Sequence, residues 1–368
     1  MTQFTVNDTE LRLERYPPQP QDPLQAWDAA DELLLSAHQL ADGPLWVLND
    51  HFGALGCGLR LQERSLCWVN DSFVAHQALA QNLELNQLDP LEHTAPTPDP
   101  AWPAPVGVIL KLPRNLRLLT AQLDWLNRQL PAGTPVVIGA RQRDMPSTLP
   151  DLTRQLLDQV HPSRAVKKAR LVYGQLSGRS SDLPQVVSWP CPELGLTVHN
   201  HPNVYGGSRL DLGARLLLKS LPSTQGLVVD LGCGNGVLSM GLLQANPEAR
   251  VLAVDESWDA IQSCRQNLTP LADPSRIELL WNDCLSGVEG GQADWVLCNP
   301  PFHQQQAITD HIAWQMFRDA KRVLKTGGRL RIVGNRHLGY HIKLTRLFGG
   351  CTTVAANAKF VVLEAQKR

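Results

Sequence analysis

Two short stretches of the chain carry residue types at spacings that can do chemistry. In Asp294-Trp-Val-Leu-Cys-Asn-Pro-Pro-Phe302 an apolar run hands over to Asn299, Pro300, Pro301 and Phe302. The two prolines cannot donate backbone hydrogen bonds and stiffen the turn. The side-chain oxygen of Asn299 and the carbonyl of Pro300 are thereby left as acceptors with fixed directions. Such a pair suits an exocyclic amine conjugated to a planar ring, which is a poor nucleophile because its lone pair is delocalised. Accepting both of its hydrogens draws the nitrogen toward tetrahedral geometry and aims the lone pair. Phe302 is placed to stack on the ring and set its distance from an alkyl donor. No general base is needed first, since the alkylated nitrogen is acidic and sheds its own proton. His303 reads either as the acceptor of that proton or as a polar loop residue, and a diproline alone is also a rigid turn that ends a strand.

The second stretch is Val229-Asp-Leu-Gly-Cys-Gly-Asn-Gly236. Gly232, Gly234 and Gly236 let a backbone turn sharply and come within contact of a ligand, a property shared by many nucleotide-binding sheets. Two acids sharpen the reading. Asp230 stands just before the turn, and Asp255 closes the next apolar run, where a carboxylate can accept both ribose hydroxyls of an adenosine. The absence of a GK[ST] sequence excludes a P-loop. An acid ahead of the glycines repels phosphate and suits the sulfonium and amino groups of S-adenosylmethionine. The pattern resembles the entry motif of class I methyltransferases. That resemblance implies that Asn282 and Asp283, after a third strand, bracket the adenine, with Asp283 accepting from its amino group; Asp283 alone also reads as a cap.

The elements that must position these residues alternate. Strands are expected at Leu227–Asp230, Val251–Asp255, Ile277–Trp281 and Trp295–Cys298, with helices from Gly236 to Gln244 and from Ser257 to Leu268. Ile308, Ile312, Met316, Phe317, Ala320 and Leu324 share one face of a helix expected to stop at Gly327-Gly328. Leu330–Val333 and an apparent hairpin, Cys351–Ala355 with Phe360–Ala365, complete the pattern. Alternating β and α implies a doubly wound, seven-stranded, mostly parallel sheet.

The first half repeats this layout without its chemistry. Leu45–Leu48 and Leu66–Val69 are spaced like Leu227 and Val251, Val108–Pro113 answers Trp295–Pro300, and Val136–Gly139 answers Leu330–Gly334. The expectation is an α/β chain of two tandem class I (Rossmann-like) domains, the N-terminal copy degenerate. Residues 1–180 form the degenerate copy, 181–194 a Ser/Gly/Pro-rich linker or extended crossover, and 195–368 the catalytic copy.

Composition agrees with a globular chain: 43% apolar, 19% charged, formal charge −1. The opening residues lack a signal-peptide core and no apolar run reaches membrane-spanning length, so a cytoplasmic location and no membrane partner are expected. Eight scattered cysteines show no metal-ligand spacing, and no metal is expected. Charge is segregated. No acid occurs from Ala320 to Leu363, a stretch holding Lys321, Arg322, Arg336, Lys343 and Arg346, and none from Gln159 to Ser181. Such segments read either as phosphate-binding surface or as solvated faces.

The diproline loop together with the doubled half-chain resembles the ribosomal RNA guanine-N2 methyltransferase family. Asn299–Phe317 and Gly328–Gly349 are most similar to the branch acting on 23S ribosomal RNA. The resemblance implies methylation of a guanine N2 in 23S rRNA and S-adenosylmethionine as cofactor; the oligomeric state is not given by the sequence, a monomer being the expectation. It also implies that Gly207–Leu218, with Asp211 and Gly213, closes over the cofactor. RNA contacts are assigned to Lys321, Arg322, Arg336, Lys343 and Arg346. Other substrates for the same loop are 16S rRNA guanine N2, adenine N6, cytosine N4 and a protein glutamine amide. A non-catalytic RNA-binding assembly factor is the alternative outside enzymes.

Overall fold

The computed structural model describes residues 4–19, 22–37, 41–205, 207–301 and 306–368. Phe302 and His303 lie outside the described residues, as do the side chains of 306–310, Ile308 among them. The chain divides into two compact units, Met1–Gln185 and Val186–Arg368.

In the second unit the strands lie in the order Ile277–Trp281, Arg250–Asp255, Leu227–Leu231, Ala293–Cys298, Leu324–Asn335, Phe360–Gln366, Thr352–Ala356. Phe360–Gln366 runs antiparallel to both of its neighbours, and the other six strands all run in one direction. The near-continuous apolar runs are explained by burial on both faces. Successive residues of a strand point to opposite sides. Val228, Val251 and Leu297 therefore join one core layer, with Leu238, Leu242, Ile261 and Leu268. Val229, Leu252 and Val296 join the other, with Met316, Phe317, Ala320 and Leu344.

Two expectations about boundaries change. The helix after the diproline loop spans Gln306–Val323, and a strand starts at Leu324 rather than after Gly327-Gly328. The glycines serve an irregularity in that strand, where the register jumps from Ala293↔Leu324 to Trp295↔Arg329. Gly327 has φ +84°, and a Cβ on Gly328 would lie 2.9 Å from the Lys325 carbonyl and 3.0 Å from that of Ala293. Part of the expected linker over 181–194 is also regular structure. Val187–Cys191 pairs antiparallel with Leu196–Asn200, and its Trp189 and Cys191 are buried in the core of the second unit. Pro190 obscured that alternation; it is tolerated because this hairpin stands apart from the main sheet.

The first unit has the same sheet, place for place: His93–Ala95, Leu66–Val69, Leu45–Leu48, Gly107–Lys111, Pro135–Arg141, Ala169–Leu176, Leu157–Pro162. Its first turn also keeps the backbone shape of the glycine loop. Gly53 and Gly236 each precede a helix at φ 81° and 79°, and Asn49 at φ 64° stands where Gly232 has 74°. Leu48 then matches Leu231. Since Leu48 pairs with Leu110 and Leu231 with Cys298, Lys111 occupies the place of Asn299. The sequence match of Val108 with Trp295 is one residue out of step, because apolar strand residues are interchangeable by pattern alone.

That substitution changes the local electrostatics. Lys111 Nζ lies 2.5 Å from Asp31 Oδ2 and 3.5 Å from Asp28 Oδ1, with Lys111 and Asp31 both buried. Burial pushes the Asp31 carboxyl up to about 6, although the Lys111 ammonium opposes the shift. Asp50, also buried, accepts from the amides of Gly53 and Gly56 and from Trp68 Nε1, so the helix N-terminus is satisfied from within. Removing one member of a buried ion pair leaves its partner uncompensated, at a cost of about 3–5 kcal/mol. Lys111→Ala is therefore expected to destabilise the first unit by about that amount. Urea unfolding followed by tryptophan fluorescence measures it, and an unshifted midpoint would remove this cluster from any structural role.

Candidate active site

In parallel α/β sheets, ligands collect at the carboxyl ends of the strands. Here the two chemical stretches leave neighbouring strands side by side. Leu231 pairs with Cys298, so Gly232 and Asn299 are the next residues on adjacent strands. The glycine turn is fixed by the amides of Gly232 and Cys233, which donate to the Val254 carbonyl at 2.8 and 3.0 Å.

Two acids flank that turn, and a third follows the outer strand of the sheet. Asp230 is buried; its Oδ2 accepts from Ser239 Oγ at 2.5 Å and from the Ser239 amide at 3.2 Å. Its Oδ1 is buried with no hydrogen-bond partner among the described residues. Burial pushes the carboxyl up to about 6, the nearby Asp255 charge adding to the effect. An orphaned carboxylate oxygen beneath a glycine turn fits a cationic ligand group, as the ammonium and sulfonium of S-adenosylmethionine provide. Asp255 Oδ2 accepts from the Gly234 amide at 2.9 Å and Oδ1 from the Ser257 amide at 3.0 Å. It thus ties the second strand to the turn. Asp283 is buried, its Oδ1 accepting from Gln315 Nε2 at 2.9 Å; burial foremost raises its pKa.

Asn282 follows the third strand directly, beside Asp283. Its amide donates to the carbonyls of Cys284 and Ser286 at 3.3 and 2.8 Å, bracing its own turn. Asp230 precedes the turn of Gly232, Gly234 and Gly236 and Asp255 is bonded to it, while Asn282 and Asp283 follow the outer strand, two places along the sheet.

Asn299 Nδ2 donates to Asp211 Oδ2 at 3.2 Å. Among the described residues Asn299 Oδ1 is buried with no hydrogen-bond partner, an acceptor at the strand end. Pro300 is buried and Pro301 partly so. Among the described residues no group of three or more His, Cys, Asp or Glu could hold a metal ion, and no helix is long and apolar enough to cross a membrane.

The basic candidates separate. The helix Gln306–Val323 leaves the chemical edge and the strand Leu324–Asn335 returns to it, so Lys321 and Arg322 stand at the opposite edge. Their heads are engaged there: Lys321 Nζ donates to the Leu347 carbonyl at 2.6 Å, and Arg322 to the carbonyls of Leu285 and Val288. Arg336 follows the returning strand and lies at the chemical edge, its guanidinium donating to the Asn357 carbonyl at 3.1 Å. Lys343 and Arg346 lie on the helix Tyr340–Phe348, Arg346 over the Trp314 ring at 5.5 Å.

Sequence reasoning missed Ser239 and Gln315. Each had a signal: a lone polar residue in the apolar run Val237-Leu-Ser-Met-Gly-Leu-Leu243, and an amide between Trp314 and Met316.

Comparison with known proteins gives two family matches, "Methyltransferase small domain" over residues 195–364 and "RLMG N-terminal domain" over 1–178. A protein of Magnetococcus marinus named ribosomal RNA large subunit methyltransferase G is 60% identical over 367 residues, covering 100% of both chains. One of the same name from Cronobacter sakazakii is 47% identical, covering 100% of this chain and 99% of its own. A solved structure of a T. thermophilus 16S rRNA N2 methyltransferase, in complex with AdoMet and guanosine, has the same fold (TM-score 0.79, 23% identity, covering 100% of this chain and 98% of that one).

Two outcomes are expected. The Asp230 carboxyl is penalised when ionised in the fold, so its stabilising contribution is full below its unfolded value near 3.8 and lost as pH rises through about 6. A cation at Oδ1 favours the ionised form. S-adenosylmethionine should therefore bind about tenfold more weakly at pH 5 than above the transition, and Asp230→Asn should flatten that dependence. Calorimetric titration across pH decides, and an equally steep profile in the variant would reassign the titrating group. Asp255→Ala should weaken S-adenosylmethionine binding by about 1–3 kcal/mol, the size of a lost charged hydrogen bond; an unchanged dissociation constant would place the ribose elsewhere.

Proposed function

The chain belongs to the family of ribosomal RNA large subunit methyltransferase G proteins, and from that premise we propose that it methylates the exocyclic N2 amine of a guanine in 23S ribosomal RNA with S-adenosylmethionine. The observation that carries the reading is the state of Asn299: its amide nitrogen is committed to Asp211, while its oxygen is buried, without a partner among the described residues, and at the strand end beside the glycine turn. A buried acceptor left empty costs free energy unless a ligand donor fills it, and an aromatic amine supplies such a donor.

S-adenosylmethionine supplies an activated methyl on sulfur. The chain's own residues do the rest. Asp230 compensates the cationic end of the cofactor, Asp255 accepts from its ribose and Asp283 from its adenine amine, while Gly232, Gly234 and Gly236 allow close backbone approach. Asn299 Oδ1 and the Pro300 carbonyl accept from the guanine amine and hold its nitrogen in line. The nitrogen–carbon bond forms as the sulfur–carbon bond breaks, and the nitrogen then releases a proton to solvent.

Guanine N2 is on the Watson–Crick edge, so the enzyme takes an unpaired or extruded base. Arg336, with Lys343 and Arg346 behind it, suits the flanking phosphates at that edge. The large-subunit names of the full-length relatives favour 23S over 16S rRNA. The first unit, with Lys111 where Asn299 would stand, serves RNA docking and support.

Asn299→Ala is expected to abolish methyl transfer while cofactor affinity stays within about twofold, since the lost contact is to the acceptor substrate. Mass spectrometry of ribosomal RNA incubated with the enzyme and methyl-labelled cofactor reads product, base and position together. Turnover in Asn299→Ala, or label on another base or on protein, would overturn the assignment.

A further inference from the structure

We propose that Asp211 is a positioning residue for the methyl transfer, locking the Asn299 amide with its oxygen toward the substrate. The inference rests on the reading of Asn299 as the amine acceptor.

An asparagine amide is nearly symmetric in shape, with an acceptor at one end and two donors at the other. Flipped by half a turn, Asn299 would point donors at the substrate's own donors and repel it. Something must fix the orientation, and the apolar strand below cannot. Asp211 is acceptor-only when ionised, and its Oδ2 takes the Asn299 Nδ2 hydrogen at 3.2 Å. A flip would set two oxygens against each other there. The same bond draws electron density through the amide toward Oδ1, which strengthens it as an acceptor for an amine becoming positive as it reacts.

Two further observations support this role. Gly213 leaves the space the pair needs: a Cβ there would lie 3.0 Å from Asp211 Oδ2 and 3.4 Å from Asn299 Oδ1. The first unit repeats the geometry with different chemistry. Asp28 caps the helix Ala29–Leu35 as Asp211 caps Leu212–Leu218, and Asp28 Oδ1 lies 3.5 Å from Lys111 Nζ, at the position equivalent to Asn299. The cap aspartate thus reaches the same strand end in both units.

Asp211 also accepts from the Ala214 amide at 2.9 Å, so a variant must separate the cap from the hold on Asn299. Asp211→Ser does so: serine caps a helix well but is too short to reach Asn299. Using the full chain, S-adenosylmethionine and ribosomal RNA, Asp211→Ser should lower kcat by about 100-fold, as expected of a misplaced catalytic group, with cofactor Kd within about twofold. Asp211→Asn, whose oxygen can serve both bonds, should recover most of kcat. A kcat for Asp211→Ser within about threefold of the parent, or a loss of cofactor binding that matches the loss of rate, overturns the proposal. Should Asp211→Ser fail to fold, Gly213→Ala takes its place. Its methyl group displaces the pair and should lower kcat alone, and an undiminished kcat there overturns the proposal equally. Asn299→Ala distinguishes the two levels: if it is active, the amine reading itself fails; if it is inactive while Asp211→Ser is fully active, only the role of Asp211 fails.

Discussion

The site depends on one pairing constraint, the parallel register that ends Leu227–Leu231 and Ala293–Cys298 side by side. Parallel strands in a doubly wound sheet put their carboxyl ends on one edge. Gly232 and Asn299 meet because Leu231 faces Cys298. A slip of one residue in either strand would move every side chain to the opposite face. The two apolar layers oppose such a slip, since Val229 and Val296 fit one layer and Val228 and Leu297 the other.

On that frame the charges follow a single logic. Asp230, Asp255 and Asp283 bring negative charge into a partly dry edge, and burial raises the pKa of Asp230 and Asp283. The arrangement leaves a place for a positive ligand. In the first unit Asp28, Asp31 and Asp50 make a comparable acidic edge, but Lys111 supplies the cation from within the chain, and the three carboxylates outweigh its burial to hold its pKa above the usual value. Two sheets of identical order thus differ in whether the countercharge is covalently present.

Much of this was legible in the sequence. The glycine turn, Asp255 and the diproline strand end follow from local residue types, and the duplicated order of elements follows from periodicity. What was not legible depends on contacts between distant segments. The Val187–Cys191 strand was hidden because Pro190 and the surrounding Ser and Gly residues carry a loop composition. Gly327-Gly328 read as a helix stop because nothing local announces an irregular strand. Lys321 and Arg322 looked available for phosphate, and only the direction of the helix shows that they stand at the far edge, bonded to carbonyls of Leu347, Leu285 and Val288. The bonds by which the Asn282 amide nitrogen braces its own turn were likewise not announced by the motif.

The Lys111 cluster also bears on how the duplication could have diverged. Restoring asparagine at that one position would leave Asp31 buried without its countercharge and Asp28 with Arg141 as its cationic neighbour. A return to a working site would therefore pass through a poorly folded intermediate unless several positions changed together. The buried pair acts as a ratchet: with Asp31 held against Lys111, selection for a stable chain alone would keep the lysine in place.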